Sequence, residues 1–102
     1  MKVNHSVSDN SLYIYLYGEL DECSAVKTRV LIDKIIDDYS YVKKVVFDLS
    51  KISFMDSTGI GMMIGRYKKI KAKGLPTYLQ NPSVYAERIL QISGLYKIMP
   101  KI

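Results

Sequence analysis

Three consecutive hydrogen-bond acceptors, Asp56-Ser57-Thr58, separate an apolar run from a periodic one, and they are the side chains best placed to do chemistry. A carboxylate or hydroxyl at such a junction caps a helix by accepting a backbone N–H, for about 1 kcal/mol. A cap needs one acceptor, and three are present. A spare hydroxyl on Ser57 would stand at a helix N-terminus, where free N–H groups and the positive dipole end tolerate an anion. That setting suits a serine that carries phosphate, a switch rather than a catalyst.

Catalytic readings fail on spacing. There is no G-x-S-x-G nucleophile elbow. The only histidine, His5, falls in the opening strand, so nothing supports a serine–histidine pair. A lone Asp-Ser-Thr-Gly does not make a two-aspartate acid–base site. One His and one Cys, far apart, argue against a structural metal site. No enzyme activity and no cofactor are expected. The glycines Gly59, Gly61 and Gly65 invite an alternative, a small nucleotide-binding domain. In the dinucleotide fingerprint, however, the first glycine comes directly off the strand. Here about ten residues separate Leu49 from Gly59.

Ser57, Gly61 and Gly65 are spaced by four and share one helical face. Met62 lies beside that strip and off the core stripe, so it is expected to be exposed. The bare strip permits close approach by another protein, or close packing against the chain's own sheet. Spacing alone leaves both open.

The elements that position this stretch alternate between strand and helix. Val3 and Val7 alternate weakly, as in an edge strand. Asp9-Asn10 reads as a two-residue turn. Ser11–Tyr17 places Leu12, Ile14 and Leu16 on one side and Tyr13, Tyr15 and Tyr17 on the other, a period-2 strand. The tyrosine face reads as a half-covered sheet face or a partner surface. Asp21 or Ser24 caps a helix running to about Tyr39. Its stripe is Ala25, Thr28, Leu31, Ile32, Ile35 and Tyr39, widened by Val26, Val30 and Ile36. Asp37-Asp38 near its end oppose the dipole.

Lys44–Leu49 suits a central strand. Ile60, Met63, Ile64, Tyr67 and Ile70 mark the next helix, which Gly74 ends. Thr77–Gln80 is a short strand after Pro76. Asn81-Pro82 or Ser83 starts a last helix with Ala86, Ile89 and Leu90 inward, and Gly94 stops it. Leu95–Met99 reads as a final short strand. The sum is one α/β domain over residues 1–102, with a mixed sheet of about four to five strands and about three helices.

Composition agrees with one ordinary globular domain: 102 residues, 48% hydrophobic, 25% charged. No apolar run reaches the roughly 20 residues that span a bilayer. The N-terminus lacks an apolar signal segment. The single Cys23 forms no internal disulfide and fits a reducing cytoplasm. The net charge is +5, and five positives with no acid fall between Arg66 and Lys73. That cluster reads as a solvated helix end, or as a patch for an acidic partner or nucleic acid. No nucleic-acid-binding motif surrounds it.

Phe54-Met55-Asp56-Ser57-Thr58-Gly59-Ile60-Gly61, continued by Gly65-Arg66-Tyr67-Lys68, resembles the anti-sigma factor antagonists of the STAS domain family. Gly18-Glu19-Leu20-Asp21 matches that family's strand-end motif, and Ser93-Gly94-Leu95 its C-terminal motif. The Gly-Arg-Tyr-Lys continuation is more similar to the sporulation, sigma-F branch than to the general-stress, sigma-B branch, whose signalling modules are a second alternative. The tyrosine-rich strand departs from the family in composition. The chain also stops soon after Ser93-Gly94-Leu95, a short C-terminus where relatives usually continue into a helix.

The resemblance implies a mechanism. The unphosphorylated antagonist binds an anti-sigma factor that is also a serine kinase, and sigma factor is released. The kinase, using its own ATP, phosphorylates the serine that aligns with Ser57. A PP2C-type phosphatase restores the active form. Contacts carried over by motif are Asp21, Ser57, Ile60 and Gly61. Asp56, Thr58, Gly59, Met62 and Gly65 complete the expected docking surface. No direct nucleic-acid or membrane contact is implied.

Overall fold

Asp9 and Asn10 both adopt left-handed backbone, at φ 51° and 62°, the conformation a tight hairpin requires. They join β1 (Lys2–Ser8) to β2 (Ser11–Leu20) as an antiparallel pair, with Ser8 opposite Ser11. The rest of the chain follows as α1 (Ala25–Asp38), β3 (Lys44–Met55), α2 (Ser57–Ala72), β4 (Thr77–Gln80) and α3 (Val84–Ser93), then a 3-10 turn at Leu95–Lys97. The structure is a computed structural model and describes residues 1–102. Strand order is β1-β2-β3-β4, with β2, β3 and β4 mutually parallel. The sheet is therefore mixed, four-stranded, and accompanied by three α-helices, as expected.

Period-2 alternation sets the core. Leu12 pairs with Val45, Ile14 with Phe47, and Phe47 with Leu79, so these side chains share the face under the helices. All are fully buried. Tyr13, Tyr15 and Tyr17 project from the other face and are half-buried, which is the half-covered arrangement. There Asp48 accepts from Ser50 N (3.0 Å), Ser50 Oγ (2.7 Å), Gln80 Nε2 (3.0 Å) and Asn81 Nδ2 (3.2 Å). Burial pushes its pKa up, but these bonds prevail and hold it below the ordinary carboxylate value.

The structure corrects three expectations. First, β3 runs past Leu49 to Met55, through irregularities in its pairing with β2 between Tyr15 and Tyr17 and between Gly18 and Glu19. Second, the α1 stripe is narrower than its apolar residues allow. Ala25, Thr28, Ile32 and Ile36 are buried, while Val26, Val30 and Leu31 are exposed. Third, Leu95–Met99 is not a strand. Gly94 turns the chain at φ 75°, and Met99 N donates to Leu95 O at 2.9 Å. Leu95 and Met99 are both buried, and a spacing of four puts both on one side of a helical turn. Extended pairing arrives only at Lys101, bridged to Leu79.

Ser83, not Asn81, caps α3: its Oγ accepts from Ala86 N at 3.2 Å and donates to Ile52 O at 2.6 Å. The acidic pair Asp37-Asp38 also finds its reason. Asp37 meets Lys69 at 3.1 Å and Lys73 at 3.3 Å, and Asp38 meets Lys34 at 3.5 Å. Hydrogen bonds from Lys69 and Lys73 hold Asp37 below its ordinary pKa. No helix is long and apolar enough to cross a membrane.

Candidate functional site

Parallel strands deliver their C-terminal ends to one edge of a sheet, where the loops that follow meet. Here Leu20 lies opposite Met55, so the exit of β2 and the exit of β3 are neighbours. Asp56 N donates to Leu20 O at 3.3 Å and ties them together. At the β2 exit, Asp21 Oδ1 accepts from Cys23 N (3.0 Å) and Ser24 N (3.1 Å). Ser24 occupies the cap position of α1 without capping through its side chain; its Oγ donates to Glu19 O at 2.7 Å. Asp21 is thus the acceptor that organises the start of α1, and it stays half-buried.

At the β3 exit the cap is Asp56. Its backbone is extended, and its Oδ1 accepts from Thr58 N (3.0 Å) and Gly59 N (3.1 Å). Ser57 is the first helical residue and is exposed, as is Thr58. Because Asp56 takes the capping bonds, the Ser57 hydroxyl is released from that duty. His5 is elsewhere, with Nε2 3.3 Å from Tyr39 Oη at the far end of α1, a helix length of about 21 Å away. No serine–histidine pair forms.

The glycines divide into two kinds. A Cβ on Gly59 would lie 2.6 Å from Leu20 O and 3.0 Å from Leu20 Cγ, so this glycine lets α2 close onto the strand end. A Cβ on Gly61 or Gly65 would meet nothing within 4 Å. Close internal packing therefore explains Gly59 alone, and the surface over Gly61 and Gly65 is open. All three lie inside α2, and Asp56 occupies the N–H of Gly59. They form no glycine turn that could cradle nucleotide phosphates.

Met62 is not exposed, contrary to expectation: it retains 7% of its accessible surface. The open face of α2 is Thr58, Gly61 and Gly65, with the buried Met62 beside them. With Arg66, these residues face Ala25, Val26 and Arg29 of α1 across a groove of about 300 Å³. Met62 forms part of its apolar lining. Ile60, at 8% exposure, belongs to the core. The edge thus gathers Asp21, Asp56 and Ser57, with Thr58, Gly61 and Gly65 exposed or half-exposed beside them, while Gly59, Ile60 and Met62 support from beneath.

Sequence reasoning missed Arg29 and Arg66. Arg66 was grouped with the basic run, yet it is buried and its Nε lies 2.8 Å from Asp33 Oδ1. The available signal was the i, i+3, i+4, i+7 spacing of Thr58, Gly61, Met62 and Gly65, with Arg66 next in line.

A family model described as STAS domain matches residues 2–102. The chain is 40% identical over 91 residues to the anti-sigma F factor antagonist of Paenibacillus polymyxa, covering 87% of this chain and 75% of that one. It is 32% identical over 101 residues to the anti-sigma-B factor antagonist of Bacillus subtilis (strain 168), covering 97% and 90%. Among solved structures, the anti-sigma factor antagonist SpoIIAA in its unphosphorylated form matches with a TM-score of 0.78 at 29% identity, over 99% of this chain and 88% of that one. The Bacillus cell fate determinant SpoIIAA in the phosphorylated form matches with a TM-score of 0.70 at 30% identity, over 99% and 91%. The order of strands and helices, the Asp-Ser-Thr-Gly helix start and these likenesses agree: the chain belongs to the STAS domain family, among the anti-sigma factor antagonists.

Proposed function

We propose that this protein docks, unphosphorylated, on an anti-sigma factor that is also a serine kinase, and so frees a sigma factor. Phosphate on Ser57, donated from the kinase's own ATP, ends the contact, and a PP2C-type phosphatase restores it. The observation that carries this reading is the division of labour at the start of α2. Asp56 caps the helix, and the neighbouring Ser57 hydroxyl is exposed and free of that role. The printed names of the relatives support the class of partner, and a matched structure is of a phosphorylated relative. Higher identity to the F-type than to the B-type relative supports a sporulation sigma factor as the one released. The setting is the cytoplasm, and no direct nucleic-acid or membrane contact is needed.

A phosphate adds about −1.5 to −2 charges at neutral pH. At a helix N-terminus those charges meet N–H groups and a positive dipole end, which favours them. Asp56 opposes them by like-charge repulsion, so the domain itself changes little. Inhibition comes from charge and bulk set into a close interface, where an unpaired buried charge costs several kcal/mol.

Intact mass before and after incubation with ATP and a candidate anti-sigma kinase, with the modified residue mapped, tests the reading. One phosphate on Ser57 is the expected result. Modification elsewhere, or none with any kinase of this class, overturns it.

A further inference from the structure

The groove between α1 and α2 holds a cation that the fold itself leaves short of partners. Arg66 is 8% exposed, and its Nη1 has no hydrogen-bond partner. Its Nε sits 2.8 Å from Asp33 Oδ1, an ion pair without hydrogen-bond alignment. Buried guanidinium groups normally have their donors satisfied. Burial depresses the Arg66 pKa, Asp33 raises it, and Arg29 across the groove depresses it again. Asp33 thus pairs with Arg66 alone, and Arg29 lines the same groove without a salt bridge of its own. Lys69 and Lys73, toward the end of the same helix, are by contrast paired with Asp37.

The surroundings define what could answer that charge. Gly61 and Gly65 leave the groove open to a backbone. Ala25, Val26 and Met62 make its walls apolar, and Thr58 places it next to Ser57. A volume of about 300 Å³ is at the small end for ligand sites. A planar guanidinium fork matches a carboxylate in bidentate geometry.

We infer that the groove receives one acidic side chain, an Asp or Glu of the docking protein, between Arg29 and Arg66, with that protein's backbone lying over Gly61 and Gly65. The identity of the partner rests on the function proposed above. The groove's chemistry does not.

Two measurements test it separately. In the first, 15N-labelled protein is titrated with sodium acetate at constant ionic strength, with chloride as control. Saturable shifts are expected at the Arg29 and Arg66 Nε–H and at the Gly61 and Gly65 amides, reduced several-fold in Arg29→Gln. Arg29 is exposed, so this variant folds. Absence of saturation at Arg66, or inorganic phosphate binding there more tightly than acetate, overturns the carboxylate assignment. In the second, calorimetry with the cognate anti-sigma factor should show weaker binding by about tenfold for Arg29→Gln and about a hundredfold for Arg29→Glu. Unchanged affinity in both variants overturns the groove and leaves the proposed function standing. If acetate saturates as expected but the wild-type protein binds no anti-sigma factor, the function fails and the anion site stands.

Discussion

The N–H of Asp56 donates to the carbonyl of Leu20 at 3.3 Å. This bond joins the exits of β2 and β3 at the point where the chain leaves the sheet for α2. The same Leu20 carbonyl faces Gly59, one helical turn further on. Ser57 thus stands between two contacts that fix its helix to the sheet, and its own side chain takes part in neither.

Gly59 and the other helical glycines should therefore respond in opposite ways to alanine. Gly59→Ala drives a Cβ to 2.6 Å from backbone that cannot yield cheaply, and overpacking of this kind costs about 1–3 kcal/mol. Gly61→Ala and Gly65→Ala meet open space and remove the helical penalty of glycine, gaining up to about 1 kcal/mol each. Urea unfolding reads both signs. The last two variants should bind the anti-sigma factor more weakly despite being more stable, because the added methyl groups stand in the proposed docking surface.

This split also shows where sequence was legible and where it was not. Alternation of Leu12, Ile14 and Leu16 against three tyrosines fixed a strand and its faces, because period 2 admits one arrangement. The Asp9-Asn10 turn was equally readable. Helix faces were harder. Val26 and Val30 look like core by type, but α1 packs through Ala25, Thr28, Ile32 and Ile36, and the two valines fall outside that contact. Met62 stands beside the open glycines on the helix, yet its side chain is buried in the core cluster. The role of Asp37 was invisible because its partners, Lys69 and Lys73, lie on another helix.

Removing the cap should cost stability without removing the Ser57 hydroxyl. Asp56→Ala deletes the acceptor for Thr58 N and Gly59 N, a loss of about 0.5–2 kcal/mol. Asp56→Asn keeps an acceptor and should lie within a few tenths of wild type, since Asn and Asp cap about equally. It also removes the charge that repels a phosphate on Ser57. Denaturant midpoints of both variants, with and without the phosphate, measure the cap and the repulsion separately.

Asp48 should make part of the stability acid-sensitive. Its folded pKa lies below the ordinary value of 3.8, so the unfolded chain takes up a proton first as pH falls. Its contribution is complete above the unfolded value and is lost as pH drops below 3.8 toward the lower folded value. Asp48→Asn places an amide donor among the donors of Ser50, Gln80 and Asn81. A loss of about 1–3 kcal/mol is expected near neutrality. The gap from wild type should narrow in unfolding curves taken below pH 4, roughly where an unfolded carboxylate protonates.

Ser57 is exposed and does no capping, so its substitutions should separate binding from folding. Ser57→Ala should unfold at nearly the wild-type midpoint, bind the anti-sigma factor as tightly as wild type, and resist phosphorylation. Ser57→Asp should also fold normally: a charge at a helix start gains about 0.3–1 kcal/mol, and Asp56 beside it returns part of that. Its binding should fall by tenfold or more, about 1.4 kcal/mol, because the carboxylate enters the interface unpaired. Calorimetric titration of both variants against the same anti-sigma factor decides the point. An Asp variant that binds like wild type would mean the hydroxyl lies outside the contact, and the electrostatic account of the switch would fail.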